Sequence, residues 1–203
     1  MPFLRLRDPE TLPAPLERPV VAIGNFDGVH RGHAYVMGEA RALGGRLGRP
    51  VAAMTFDPHP RAFFRPDAPQ FRLTPPDAQA DLIAGLGLDG LIVFTFDAAF
   101  AALSAEDFVG DILIRRLDVA GVVVGADFHY GRGRAGTPAT LAAAGRAGGF
   151  AVTLLDPLAE GGEPVSSSRI RDALEAGEPA LANRLLGYEW FVRGPVVHGE
   201  KRG

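Results

Sequence analysis

The sequence predicts an α/β protein built on a doubly wound, parallel, five-stranded sheet. Three observations lead there. Val20, Val21, Ala22 and Ile23 form an apolar run with no alternating polar face, as a strand buried on both sides requires. Similar runs alternate with helical segments along the whole chain. The loops richest in His, Arg, Ser and aromatic residues all leave the carboxyl ends of the predicted strands, where such sheets bind ligands.

Residues 1–18 read as an irregular lead-in held by Phe3, Leu4 and Leu6. The first strand covers about 19–24. An Ala-, Leu- and Arg-rich helix follows over about 31–48, closed by glycines before Pro50. A second strand over 51–56 stops at Asp57, Pro58, His59 and Pro60, because two prolines cannot continue a central strand. The segment from there to about residue 77 is long for a loop in a compact domain, which points to function. Its Phe63, Phe64 and Phe71 argue against disorder. A helix over 75–86 and a strand over 89–96 come next. Ser104, Glu106 and Asp107 open a helix that runs to about residue 116, its acidic start and basic end matching the helix dipole. A fourth strand spans 119–124. Thr137 and Pro138 start another helix, and the fifth strand covers about 150–155. A polar hairpin then leads to Ser166, Ser167 and Ser168, which open a short helix, and a last helix covers about 178–186.

Composition narrows the function. The chain of 203 residues suits one substantial domain with a short appendage. It has no cysteine, which excludes disulfides, thiolate zinc sites and cysteine nucleophiles. Lys201 is its sole lysine, so a P-loop is excluded. A net charge of −3 gives no reason to expect a nucleic-acid partner. No stretch approaches the roughly 18–20 apolar residues that cross a membrane. The N-terminus mixes charge with proline where a signal peptide has an apolar core, so the expected compartment is the cytoplasm.

Residues 24–33 carry the strongest chemical signal. Gly24 and Gly28 let the backbone turn sharply behind the first strand and approach a ligand. His30 and His33 then fall where the loop becomes a helix. A helix N-terminus offers unpaired N–H groups and partial positive charge, and two imidazoles beside it suit a phosphate. Residues 166–171 suggest a second phosphate site, because Arg169 and Arg171 in a first helical turn oppose the dipole unless an anion is present. Phe56, Pro58, His59 and Pro60 read as a stiff wall for a flat heteroaromatic ligand. Gly131, Gly133 and Gly136 match a dinucleotide fingerprint in form only, since they do not follow the first strand of a βαβ unit. Arg132 and Arg134 there suit a flap over phosphates. No nucleophile elbow and no paired carboxylates are apparent, so direct transfer between bound groups is the reaction type expected.

Taken together, the segments Gly-Asn-Phe-Asp-Gly-Val-His-Arg-Gly-His, Thr-Phe-Asp-Pro-His-Pro, Gly-Ala-Asp-Phe-His-Tyr-Gly and Ser-Ser-Arg-Ile-Arg resemble the prokaryotic bifunctional FAD synthetases, which join a riboflavin kinase to an FMN adenylyltransferase. The resemblance covers about residues 18–187. It implies a Rossmann-like nucleotidylyltransferase fold and the reaction of FMN with MgATP to give FAD and pyrophosphate. It implies catalytic roles for His30, His33 and Arg169. It implies nucleotide contacts from Gly24, Asn25, Phe26, Asp27, Gly28, Asp127, Ser166, Ser167, Ser168 and Arg171. Phe56, Pro58, His59, Pro60, Phe128 and Tyr130 become the flavin wall. Mg²⁺ is expected with ATP, held mainly by phosphates and water, and the metal ligands on the protein stay unassigned.

The same resemblance divides the chain into an adenylyltransferase domain, 1–187, and a linker with the truncated opening of a kinase domain, 188–203. The Pro-Thr-Ala-Asn motif of the kinase is not reached, so no riboflavin kinase activity is expected from these residues, and 188–203 are expected to fray. Two other readings stay open. One is a nucleotidylyltransferase acting on a nicotinamide, pantetheine or sugar-alcohol phosphate. The other is a non-catalytic flavin- or nucleotide-binding module.

Overall fold

The structure is a computed structural model that describes residues 2–67 and 71–194. Its sheet is built from β1 (Leu4–Arg7), β2 (Val20–Ile23), β3 (Val51–Asp57), β4 (Gly90–Thr95), β5 (Gly121–Gly125) and β6 (Ala151–Leu155). The strands lie in the order β1-β4-β3-β2-β5-β6 and every pairing is parallel. From β2 the chain winds outward through β3 to β4, which pairs with edge strand β1, then returns to place β5 and β6 on the other side. The reversal falls between β2 and β5, so the loop after β2 stands at the topological switch point.

The sheet has six strands where five were expected. The lead-in is not irregular. Leu4, Arg5, Leu6 and Arg7 alternate half-buried and exposed, as an edge strand does, and Leu4 and Leu6 pack on the core. Four residues followed by Asp8 and Pro9 are too short a run to stand out as a strand, and pairing with β4 stabilises it. The consequence reaches the ligand end of the sheet, because β1 carries Arg7 and Asp8 there.

Both faces of the sheet are covered. Val21 and Ile23 of β2 face a cluster with Met54, Ile92, Phe94 and Leu113. Val20 and Ala22 face the other, with Met37, Ala53, Ile83 and Leu91. Helix α1 (Arg31–Leu47) closes on a left-handed Gly48 at φ 61°, which only glycine adopts without strain. The segment after β3 holds the short helix α2 (Pro60–Phe64), and α3 (Pro76–Gly85) follows it. Helix α4 (Ala98–Ala101), not expected from the sequence, is capped by Asp97. The helix opened by Ser104 begins with a capping box to Asp107 as α5 (Ala105–Asp107), then continues as a π-helix over Phe108–Arg116. The wider turn cannot be read from periodicity, since the same Phe108, Val109, Ile112 and Leu113 are buried either way.

Helix α6 (Pro138–Gly148) joins β5 to β6 through a capping box at Thr137. Beyond β6, the hairpin β7 (Ala159–Glu160) and β8 (Glu163–Pro164) leads into α7 (Ser167–Glu175) and α8 (Pro179–Leu186). These two helices form a small third cluster around Leu73, Ile170, Leu185 and Leu186. Tyr188 and Trp190, beyond α8, pack onto that cluster. Of the residues 188–203 expected to fray, 188–194 form no helix or strand and 195–203 lie outside the described residues. Among the described residues no helix is long and apolar enough to cross a membrane.

The helix-to-sheet packing on the α1 side is close enough to need a missing side chain. A Cβ on Gly44 would stand 2.3 Å from Val51 Cγ2 and 3.0 Å from the Arg49 carbonyl oxygen. Gly44→Ala is therefore expected to destabilise the protein by about 1–3 kcal/mol despite the higher helix propensity of alanine, measured as a lowered midpoint in urea unfolding.

Candidate functional site

The loop between β2 and α1 follows an uncommon path. Phe26 (φ 50°), Gly28 (φ 84°) and Val29 (φ 38°) are all left-handed, a conformation that non-glycine residues hold only when their surroundings enforce it. Here the surroundings do so at nearly every residue. The Asn25 carbonyl accepts from Thr55 Oγ1 and Gln79 Nε2, each at 3.0 Å. The Asp27 carboxylate accepts from the backbone N–H of Leu73 (3.0 Å) and Thr74 (3.1 Å) and pairs with Arg171. The Asp27 carbonyl accepts from Ser167 Oγ at 2.8 Å. The Gly28 N–H donates to Thr74 Oγ1 at 3.1 Å, and the Gly28 carbonyl accepts from Tyr188 Oη at 2.6 Å.

At the end of this loop His30 caps α1, its Nδ1 accepting from the His33 N–H at 3.3 Å. That leaves the His30 proton on Nε2. The two imidazoles stack with ring centroids 3.5 Å apart, and Phe26 meets His33 edge-on at 5.2 Å. Burial lowers the His30 pKa to about 4, with the Arg171 charge acting in the same direction. Burial and then the neighbouring His30 hold His33 well below the ordinary histidine range. Both rings are neutral at pH 7. His33 Nδ1 is buried without a partner, so the pair still has unused hydrogen-bonding capacity. Gly32 is required here: a Cβ would lie 3.1 Å from the His30 ring and 3.3 Å from the Val165 carbonyl. That wedge of space brings His30 up against the start of α7.

A cavity opens beside the loop, with Asn25, Asp27 and Gln79 on one side and Phe56, Pro58 and His59 on the other. Arg61, Arg72 and Arg171 add three guanidinium groups to its lining. Asp57, at the end of β3, joins Arg7 and Arg72 at 2.9 Å each. Burial would raise the Asp57 pKa, but the two arginines outweigh it and hold the carboxyl below its usual range. His59 caps α2, its Nδ1 accepting from the Arg61 N–H at 3.0 Å. Its pKa is lowered by burial and by the charges of Arg171, Arg72 and Arg61, against the opposing pull of Asp27. Pro60 is the first residue of α2 and is absent from the cavity lining, because the helix turns it away.

An aromatic ridge extends from this wall across the carboxyl ends of β3, β4 and β5. Phe56 contacts Phe96 (6.1 Å) and Phe100 (5.5 Å), while Phe63 and Phe64 meet Phe96 at 5.5 and 5.7 Å. Phe100 leads through Phe108 to Tyr130, which stacks on Phe128 at 5.7 Å. So Phe56, Phe128 and Tyr130 belong to one structure. Tyr130 itself is buried, its hydroxyl 3.2 Å from Thr140 Oγ1. Asp127 is exposed at the end of β5, beside Gly125.

Several predicted side chains are engaged elsewhere. Ser166 Oγ accepts from the Arg169 N–H at 3.2 Å as the cap of α7, and Ser168 is exposed. Arg169 donates to the carbonyls of Glu160 (3.0 Å) and Glu163 (3.1 Å) and pairs with the Glu163 carboxylate. Arg171 is consumed by Asp27 and by the Phe71 carbonyl at 2.9 Å. Arg132 and Arg134 are exposed on a 3₁₀ turn pinned at its start by the Arg132 N–H to the Leu103 carbonyl, 2.7 Å. They do not line the cavity. Sequence reading missed Arg7, Arg72, Gln79 and Tyr188. None of the four carried a sequence signal, since even the alternation of Leu and Arg over residues 4–7 is too short to mark a strand.

A doubly wound sheet with a histidine-capped helix and an arginine-lined cavity at its switch point defines an α/β domain of the class that binds phosphate-bearing ligands. Residues 12–169 match the family model described as FAD synthetase, and the chain belongs to that family. It is 40% identical over 190 residues to the bifunctional riboflavin kinase/FMN adenylyltransferase of Escherichia coli K12, covering 94% of this chain and 61% of that protein. The Bacillus subtilis strain 168 protein of the same description is 41% identical over 187 residues, covering 91% and 58%. The chain thus spans 61% and 58% of the lengths of these relatives. Among solved structures, a Streptococcus pneumoniae protein described as a macrolide-efflux protein superposes with TM-score 0.83 at 24% identity, over 98% of this chain and 66% of that one. Pantoate-beta-alanine ligase from Francisella tularensis reaches TM-score 0.51 at 10% identity, over 90% and 85%. These two show the fold.

Two outcomes test the geometry of the site. His30 binds its proton at about pH 4 when folded, against 6.5 for an ordinary histidine, so the unfolded chain holds more protons between these values. Stability is expected to be full above pH 6.5 and to fall by about 3 kcal/mol on acidification to pH 4. Urea unfolding at stepped pH should show this slope, and a shallower one in His30→Asn, which keeps a capping acceptor. Equal slopes would remove the assignment. Asp27→Asn leaves the Arg171 guanidinium buried and unpaired, and is expected to cost about 3–5 kcal/mol, read as a loss of thermal midpoint.

Proposed function

We propose that this domain is an FMN adenylyltransferase, joining FMN to the AMP part of ATP and releasing pyrophosphate. A phosphate oxygen of FMN attacks the α-phosphorus in line, the bond from that phosphorus to the bridging oxygen breaks, and pyrophosphate carries the electron pair away. The observation that carries the reading is the stacked, neutral His30 and His33 at the N-terminus of α1. Donors there are fixed before the substrate arrives, which is how charge developing on transferring phosphates is stabilised. His30 offers Nε2–H, and His33 stacks against it with a buried Nδ1 that has no protein partner. Asn25, Phe26, Asp27 and Gly28, with Gly24, shape the nucleotide pocket. Asp27 does so by fixing the loop. Ser167 is tied to that loop through the Asp27 carbonyl, and Ser168 and Asp127 are exposed and free to meet the nucleotide.

The aromatic ridge supports a flat ring system as the second substrate, with Phe56, Pro58 and His59 as its wall and Phe128 as its far end. Tyr130 supports the ridge from within the core. Arg61 and Arg72 face the same cavity and suit a phosphate monoester. Arg169 reaches phosphate only by leaving the β7–β8 hairpin. Mg²⁺ is expected to arrive with ATP as MgATP, held mainly by phosphates and water. Cytoplasmic FMN and ATP are the expected small-molecule partners, and neither nucleic acid nor membrane is. Residues 1–187 form the adenylyltransferase domain in this proposal. Residues 188–203 lead toward a riboflavin kinase domain of the kind named in the relatives.

Incubation with FMN and MgATP, with the flavins resolved by chromatography, should yield FAD. Riboflavin with MgATP should yield no FMN. Replacing His30 and His33 together by alanine is expected to lower FAD formation at least about 100-fold while FMN binding, followed by flavin fluorescence, changes little. Tight FMN binding without FAD from the unaltered chain would refute the transfer.

A further inference from the structure

Among the described residues beyond α8, up to 194, there is no helix or strand, yet this stretch is tied to the site at two backbone oxygens. Tyr188 Oη donates to the Gly28 carbonyl at 2.6 Å. Trp190 Nε1 donates to the Leu73 carbonyl at 3.2 Å, and the Trp190 N–H is itself fixed by Asn183 Oδ1 at 2.8 Å. Gly28 and Leu73 belong to the two segments that the Asp27 carboxylate joins from the other side. Gly28 is left-handed, and the next residue, Val29, holds φ 38° without the excuse of being glycine. A carbonyl in such a segment rotates readily once released, and it precedes His30 by two residues.

We propose that Tyr188 and Trp190 are positioning residues for the phosphate loop: by holding the Gly28 and Leu73 carbonyls they set where His30 and His33 stand. This rests on the reading of that loop as the ATP-phosphate site. Neither residue lines the cavity or touches the imidazoles, so their action is indirect, through backbone. Burial, with the Asp27 charge adding to it, raises the Tyr188 pKa to about 12, so the hydroxyl remains a donor at every pH at which the enzyme would work. The segment that leaves the domain is thereby part of its active centre, and a displacement of residues 188–190 is felt at the histidines. Sequence composition alone reads these residues as linker.

Tyr188→Phe keeps the ring packed against the α7–α8 cluster and removes only the donor. Calorimetric titration of the full chain with MgATP alone, and separately with FMN alone, needs no turnover. The expected result is MgATP binding weakened about fivefold, the scale of one hydrogen bond, with FMN affinity within about twofold of the unaltered chain. Trp190→Phe should act in the same direction and carries the comparison if Tyr188→Phe folds poorly. MgATP affinity unchanged in both variants overturns the proposal. So does an equal loss of both affinities with a fallen native fraction, which marks a purely structural role. If the unaltered chain binds no MgATP, the adenylyltransferase reading fails first and this proposal with it. Binding that survives the substitutions fails this proposal alone.

Discussion

The left-handed turn between β2 and α1 is the constraint on which the site depends, and the Asp27–Arg171 pair is what enforces it. A loop containing Phe26 and Val29 at positive φ carries strain of the order of 1–3 kcal/mol per residue. It persists because its polar groups are answered from α3, α7, the 71–74 segment and Tyr188. Asp27 links most of these. One carboxylate satisfies two backbone donors and a buried guanidinium, so three segments distant in sequence share a single anchor. Buried pairs of this kind add little net stability over an apolar contact, but breaking one is costly. Their use here is to allow only one loop path.

That path decides the electrostatics. The loop delivers two imidazoles into a buried position at a helix N-terminus, beside Arg171. Burial keeps both rings uncharged, helped at His30 by the Arg171 charge and at His33 by the neighbouring His30, so they stack at 3.5 Å without mutual repulsion. Two imidazoliums could not. The site is thus compact because it is neutral, and in the proposed reaction its donors are in place before a polyphosphate brings negative charge. Nothing has to be reorganised when that charge develops, which is the condition under which hydrogen bonds contribute most to a transition state.

The doubly wound arrangement was legible because β2, β3 and β5 are apolar on both faces, and residues 24–33 were legible as a site because glycine and histidine follow a buried strand. Edge strand β1 was not, since four residues gain their conformation from pairing with β4 rather than from their own pattern. The arginines of α7 drew attention as cations near a helix N-terminus, and Arg169 does fall in the first turn while Arg171 lies just past it. Sequence could not say which anion answers them. Arg171 finds Asp27, 144 residues away, and Arg169 finds Glu163 in the adjoining hairpin. Likewise the ridge from Phe56 to Phe128 is assembled from four separate segments, and only Phe56, Phe128 and Tyr130 lay in motifs distinctive enough to be noticed. Tyr188 looked like linker because its partner, a carbonyl, leaves no trace in sequence.

The β7–β8 hairpin gives the site a property of its own. Glu160 pairs with Arg31 at the first turn of α1, and its carbonyl holds Arg169, which also meets Glu163. The site therefore already contains counter-ions for these arginines, covalently attached. An anion that takes either arginine performs an exchange, releasing a carboxylate to water rather than neutralising a bare cation. Such an exchange gains less from long-range attraction than a bare guanidinium would supply, and ionic strength acts on both sides of it. Selection then falls to ligands that can offer more oxygens per arginine than a glutamate can, a criterion a triphosphate meets and a single carboxylate does not.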